Sequence, residues 1–289
     1  MSKAKYSIIP KPQKYNVLDG TYTITSETAI LCSPDFIKAG KYISNFLKTK
    51  KNANSGQIKI AKDESLRAEA YHLKIKPDGI TIFASDENGA FYGVVTLKIM
   101  IMQSKKSNGV AVVNCSEIYD YPKFSYRGGM MDEARHFFGI DAVKRALDEM
   151  AMLKLNKFHW HLSDDQGYRI ESEIFPLLNE ISSKRKYEYL GGEGPFASLP
   201  EIKMGGDEYF HYYKKSEIRE IVEYAKNLCI DIIPEIDLPG HTVAILAAYP
   251  ELSCLKETYE VFCKNGITKD VLCAGQEETY DFVEKLLTE

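Results

Sequence analysis

Four stretches of this 289-residue chain carry side chains able to move protons or hold a polar ligand. RGGMMDEARHFF, residues 127–138, carries Asp132, Arg135 and His136. KFHWHLSDDQGYRIE, residues 157–171, runs an apolar segment into Asp164, Asp165, Gln166 and Arg169. IIPEIDLPGH, residues 232–241, ends on Glu235, Asp237 and His241 beside a Pro-Gly turn, and MGGDEYFHYY, residues 204–213, holds the adjacent carboxylates Asp207 and Glu208. Carboxylates and histidines are the groups of acid–base catalysis, and arginine presents a fixed fork of donors. In the first three stretches the polar residues follow a short apolar run, and the C-terminal ends of parallel strands are where α/β folds gather their active sites. Three such ends imply one shared pocket.

The elements that must position these residues have two rhythms. Up to about Pro122, AYHLKIKPDGITIFAS alternates apolar and polar residues around a Pro-Asp-Gly turn, which predicts a hairpin. NGAFYGVVTLKIMIMQ has helical spacing, and SPDFIKAGKYISNFLKTK reads as an amphipathic helix after a Ser-Pro-Asp start. Strands under helices predict a small α+β domain over 1–122. From residue 123 strand and helix alternate: GGMMD, then GIDAVKRALDEMAMLKL, NKFHWHL, a long loop region with EIFPLLNEIS, KKSEIREIVEYAKNL, IDIIPEIDL, HTVAILAAYPEL and ETYDFVEKLLTE. Continuous apolar strands alternating with helices predict an α/β domain over 123–289 with a parallel, helix-covered sheet. The pattern supplies three parallel strands where a closed (β/α)₈ barrel has eight, so a barrel here is expected to be truncated.

Composition narrows the function classes. The net charge of −4 offers no electrostatic reason to expect a nucleic-acid or membrane partner. No apolar run approaches the roughly 18 residues that span a bilayer, and MSKAKYSIIPKPQKYN lacks a signal-peptide core, so a cytoplasmic location is expected. The six cysteines lack zinc-ligand spacing, and neither a metal nor a cofactor is expected. Cys254, Cys263 and Cys273 fall in one loop-like region, where an oxidising compartment would allow a disulfide.

RGGMMDEARHFF, HWHLSDDQGYRIE and PEIDLPGH, in this order and spacing, closely resemble the β-N-acetylhexosaminidases of glycoside hydrolase family 20. IIPKPQKY and the region from EAYHLKIKPDGITIFASDENGAFYGVVTL resemble that family's small α+β domain, so the resemblance covers nearly the whole chain. It implies release of terminal β-linked GlcNAc or GalNAc by substrate-assisted, retaining hydrolysis, an exception to the two-carboxylate scheme. The sugar's acetamide oxygen attacks the anomeric carbon, an Asp orients the acetamide and the neighbouring Glu protonates the leaving oxygen. Arg135 is similar to the arginine that binds the terminal sugar's hydroxyls. Asp164 and His241 are similar to the acid and histidine that hydrogen-bond in series behind the catalytic glutamate.

In the family the Asp-Glu pair ends the fourth barrel strand. Asp207 and Glu208 match its letters, but they follow the second strand, and GPFASLPEIKM before them makes a buried strand ending at Met204 unexpected. They read as a polar loop and helix N-terminus, and remain the candidates for the pair within this chain. With the pair absent the chain is expected to be inactive. The rival reading is a non-catalytic glycan-binding or partner protein, or one half of a split enzyme, associating with itself or a complementing chain through the open barrel edge. Other residues have plainer alternatives: Arg135 as a salt-bridge partner of Asp132 or Glu133, Asp164 and Asp165 as turn caps, and His241 as a helix cap. His159 and His161 alternate with Trp160, so the two histidines face one way and the tryptophan the other; barrel-interior packing is expected of Trp160 and of at least one histidine.

Overall fold

The structure is a computed structural model that describes residues 6–25, 27–49, 57–107, 110–190, 202–204, 209–264 and 266–289. Its internal contacts divide the chain into two units: 1–127 with 146–156 and 225–231, and 128–145 with 157–224 and 232–289.

Among the described residues the first unit is a helix-covered sheet of seven strands. Its strands are β1 (Lys14–Ile24), β2 (Ile30–Cys32), β3 (Ile58–Lys62), β4 (Tyr71–Lys76), β5 (Gly79–Ala84), β6 (Lys105–Ser107) and β7 (Val110–Asp120), in the order β1-β7-β4-β5-β3-β2 with β6 also on β7. The hairpin expected around Pro77–Asp78 is β4/β5, closed by the Lys76↔Gly79 pair. Sequence reading passed over the largest ladder, β1 against β7, whose register shifts between Val17 and Thr21. Gly20 lies in that shift at φ +99°, a conformation that an L side chain adopts only with strain.

Helices α1 (Ile37–Leu47) and α2 (Glu87–Gln103) pack on each other, and α2 lies on β4 and β5. Asp86 starts α2 by accepting from Gly89 N at 2.7 Å, as an N-cap should. Phe91, Val94, Val95 and Leu97 of α2 are buried, as are Ile60, Leu73, Ile75, Ile82 and Ile118 of the sheet, the arrangement in which apolar area leaves water.

β8 (Gly128–Asp132), α3 (Ile140–Met152) and β9 (Lys157–Asp164) form a βαβ step whose strands belong to the second unit, while α3 from Ala146 onward belongs to the first. β8 and β9 are parallel with Met130↔His159 and Asp132↔His161 in register. A tight turn at Asp165–Gln166 returns the chain as β10 (Gly167–Tyr168), antiparallel to β9. Among its described residues the long connection that follows holds a π-helical turn at Leu178–Ser182 and four short strands: β11 (Lys184–Arg185), β12 (Glu188–Leu190), β13 (Ile202–Met204) and β14 (Tyr209–Phe210). A three-residue strand ends at Met204. It pairs antiparallel with β12, so it is not a parallel barrel strand. Asp207 and Glu208 lie outside the described residues.

Helix α4 (Lys215–Asn227) leads to β15 (Asp231–Ile236), on the side of β9 away from β10 in the strand order. Thus the three expected strands β8, β9 and β15 share one sheet. Helices α5 (Val243–Ala248) and α6 (Glu277–Thr288) close the unit over a core of Tyr168, Leu178, Ile245, Leu246, Leu252, Leu272, Phe282 and Leu286. Cys254 and Cys273 form a disulfide, while Cys263 is a free thiol. No helix among the described residues is long and apolar enough to cross a membrane.

Candidate active site

Strand register assembles the site. Because Asp132 pairs with His161, the end of β8 lies beside the end of β9, and the turn after β8 brings Arg135 over it. Asp132 holds that turn by accepting from Arg135 N and Arg135 Nη1, both at 3.0 Å. The salt bridge with Asp132 therefore exists, but it engages only part of the guanidinium. Arg135 Nη2 reaches Asp164 Oδ2 at 2.5 Å, and Arg135 Nε donates to Gln166 Oε1 at 3.1 Å. The arginine side chain keeps 33% of its surface exposed, so it is held from below while open above.

Asp164 is the hub. Its carboxylate is inaccessible to solvent, and a buried charge is tolerable only when paired. Oδ2 faces Arg135 and His161 Nε2, the latter at 3.0 Å; Oδ1 accepts from its neighbour Asp165 N at 2.7 Å and faces His241 Nδ1 at 3.1 Å. Residues following β8, β9 and β15 thus converge on one carboxylate. His241 reaches it from a left-handed backbone at φ +55°, a region costly for any residue but glycine, and its ring stays about one-third exposed.

His161 shows what the alternation of KFHWHL accomplishes. Trp160 is fully buried against Tyr213, with ring centroids 4.8 Å apart, and next to Phe158, as a packing residue should be. His159 and His161, on the opposite face, both meet Glu235 of β15; His161 Nδ1 lies 2.7 Å from Glu235 Oε2. Burial opposes a charge on His161, but Asp164 and Glu235 outweigh it and raise the imidazole to about 9. At neutral pH the ring is therefore an imidazolium whose Nε2–H donates to Asp164. Its 3.1 Å approach to Arg135 Nη1 is then a contact between two donors held by one carboxylate.

Glu235 and Asp237, two residues apart on β15 and its extension, are pushed in opposite directions. Burial raises Asp237, as does the neighbouring Glu235; burial also works against Glu235, but His161 and its other hydrogen-bond partners bring it below the usual carboxylate range. The ionisation of each therefore depends on the other, with His161 favouring the charged form of Glu235 while burial and Glu235 disfavour that of Asp237. His161, Asp164 and Asp237, like Asp164, Asp165 and His241, hold ligand atoms within 4.8 Å of one another, a spacing compatible with a cation. The guanidinium and imidazolium already on Asp164 oppose one there. The arrangement is suited to relaying protons.

Sequence reasoning named Arg135, Asp164 and His241 as site residues, and the structure brings all three together. It gave less weight to His161, and it missed the part played by Asp165 and Gln166. Asp165 accepts from Val243 N at 3.1 Å at the start of α5 and from Thr268 N at 2.9 Å; Gln166 Nε2 donates to Lys264 O and Gly266 O at 3.0 and 3.1 Å. The pairing of two period-2 patterns, His159/His161 with Glu235/Asp237, was the available signal for His161. No local signal links Gln166 to residues about 100 positions away.

Comparison with known proteins places this geometry. Residues 124–289 match glycosyl hydrolase family 20, catalytic domain, and residues 5–121 match domain 2 of the same family. A β-hexosaminidase of Porphyromonas gingivalis is 34% identical over 98% of this chain and 37% of its own length. Among solved structures, a family 20 exo-β-N-acetylglucosaminidase of Vibrio harveyi in complex with N-acetylglucosamine superposes with a TM-score of 0.83 at 29% identity, over 97% of this chain and 44% of that one. An N-acetyl-β-hexosaminidase of Streptomyces plicatus gives 0.82 at 33% identity, over 97% and 55%. The chain spans less than half the length of the first curated relatives it matches. Its fold is α/β, with the family's N-terminal α+β domain and part of its (β/α)₈ barrel, and the chain belongs to glycosyl hydrolase family 20.

Proposed function

We propose that the protein is a hexosaminidase-type glycoside hydrolase that releases terminal β-linked N-acetylhexosamine, GlcNAc or GalNAc, by substrate-assisted, retaining hydrolysis. In this reading Arg135 binds hydroxyls of the terminal sugar, and Asp164 with His241 relays charge behind the general acid. The observation that carries it is the buried Asp164, joined to a partly exposed Arg135 on one oxygen and to a partly exposed His241 on the other. A guanidinium fork fixed by carboxylates suits vicinal hydroxyls, and a histidine backed by a buried acid tunes the proton affinity of a neighbouring acid.

Titrating N-acetylglucosamine into the chain tests the first role. Binding that weakens at least about tenfold in Arg135→Ala supports it, whereas binding untouched by that change would overturn it. Release of p-nitrophenol from p-nitrophenyl β-N-acetylglucosaminide tests the chemistry. Turnover abolished in Glu208→Gln would assign the acid to the Asp207–Glu208 pair; absence of turnover would place the acid pair at the end of a further barrel strand, as the resemblance implies.

The same reading extends to the sheet. Among the described strands β15 pairs only with β9, and a further strand, from this protein or a second chain, would cover its other edge. Light scattering checks self-association at that edge; a monomer at all concentrations would remove it.

A further inference from the structure

The polar residues of the site are tied to one distant segment, the loop closed by the Cys254–Cys273 disulfide. That bond joins residues 19 positions apart. From inside the loop, Lys264 O and Gly266 O accept from Gln166 Nε2 at 3.0 and 3.1 Å, and Thr268 N and Thr268 Oγ1 donate to Asp165 at 2.9 and 3.1 Å. Phe262 N adds a bond to Asp165 O at 3.1 Å. Both recipients sit at the tip of the β9/β10 turn, next to Asp164, and both are buried.

Each recipient passes the constraint to the site by a different bond. Gln166 has two ends: its Nε2 is held by the loop, and its Oε1 accepts Arg135 Nε at 3.1 Å. Asp165 has two oxygens: Oδ2 takes Thr268 N, and Oδ1 takes Val243 N at 3.1 Å, which places the start of α5 directly after Gly240–His241–Thr242. A side-chain amide is the only neutral group that can accept from a guanidinium while donating to two carbonyls, which accounts for a glutamine at this position.

We propose that Gln166 and Asp165 are positioning residues that couple the disulfide-closed loop to the site, Gln166 by aligning Arg135 and Asp165 by placing the turn that carries His241. The inference rests on the proposed function only for what Arg135 would bind; the coupling stands on the two tethers. Closing the loop covalently limits how far both tethers can move, whereas with the thiols open the site stays built but its arginine is less well aligned.

The test reads the two tethers separately in the full chain, by solvent exchange of the Arg135 Nε–H and Val243 N–H in a ¹⁵N-labelled sample before and after reduction with dithiothreitol. In the native sequence both are expected to exchange about tenfold faster once Cys254 and Cys273 are reduced. Gln166→Glu keeps the acceptor for Arg135 but has no donors for the loop carbonyls; in this variant reduction should still release Val243 and no longer alter Arg135. Unchanged exchange at both sites, with thiol titration showing the bond open, would overturn the proposal, as would a Gln166→Glu chain responding like the native one. Should reduction unfold the chain, oxidised Thr268→Pro decides, because it removes both Thr268 donors to Asp165 and keeps the Asp165–Val243 bond: faster exchange at Val243 in a folded chain supports the coupling, and unchanged exchange overturns it. N-acetylglucosamine titrated in the same experiment separates the two readings, because failure to bind in every form counts against the proposed function and leaves the exchange result standing.

Discussion

His241 and Asp164 lie 77 residues apart in sequence, and His241 Nδ1 comes within 3.1 Å of an Asp164 oxygen whose partner oxygen holds Arg135. One buried carboxylate therefore fixes the two groups that face outward, and a change at that carboxylate should be felt at both.

Replacing Asp164 by Ala leaves the Arg135 guanidinium and the His161 imidazolium facing each other without their shared counter-ion. Removing one partner of a buried pair typically costs about 3–5 kcal/mol, so chemical denaturation should show a loss of that size. Asp164→Asn keeps the shape and loses the charge, and His161, followed by NMR, should then titrate well below its native value.

The raised His161 has a definite sign in the pH dependence of stability. Its folded value of about 9 stands above the ordinary 6.5, so its contribution is complete below about pH 6.5 and is lost as the pH rises through about 9. The shift corresponds to on the order of 3 kcal/mol. Thermal midpoints should fall across that window more steeply for the native chain than for His161→Gln; parallel curves would show that His161 is not the titrating group.

Arg169 is fully buried and its guanidinium is spent on carbonyls: Glu133 O, Ala134 O, Ser183 O and His211 O at 2.9–3.1 Å. Those oxygens hold the β8 turn and the β11–β14 region in place. Arg169→Met would fill much of the volume and satisfy none of them, and at about 1–3 kcal/mol for each acceptor left dry a loss of several kcal/mol is expected in denaturation.

In the first unit Lys154 is buried against Asp120, with Nζ 3.0 Å from both Asp120 Oδ2 and the Tyr71 hydroxyl. Burial lowers the Lys154 ammonium below the ordinary lysine range, against the pull of Asp120. Asp120→Ala strands that ammonium and should cost about 3–5 kcal/mol, while adding Lys154→Met should restore much of the loss. Additive losses in the double variant would show that the two residues act separately.

Much of this protein was legible without coordinates. The period-2 pattern around Pro77–Asp78 determined the β4/β5 hairpin, and helical spacing determined α1, α3, α4 and α6, because burying one face of an element leaves a mark on its own residues; α2 was legible as well, although it is buried on all sides from Gly89 to Leu97. Apolar runs ending in acids, Arg and His located β8, β9 and β15 and placed Arg135, Asp164 and His241 at their ends. The β1/β7 ladder escaped because its long strands vary in exposure along their length, so their partner, rather than their own pattern, defines them.

Only the tertiary structure decided which polar residues shift one another's ionisation and which hold the others still. Whether His161 is packing or imidazolium depends on Asp164 and Glu235 reaching it from two different elements, and whether Gln166 is a turn residue or a tether depends on carbonyls in the Cys254–Cys273 loop. A residue's type and spacing record the face it turns to its own element's surroundings. Its charge state and its role are set by groups distant in sequence, through energies that exist only once the chain has brought them within a few ångströms.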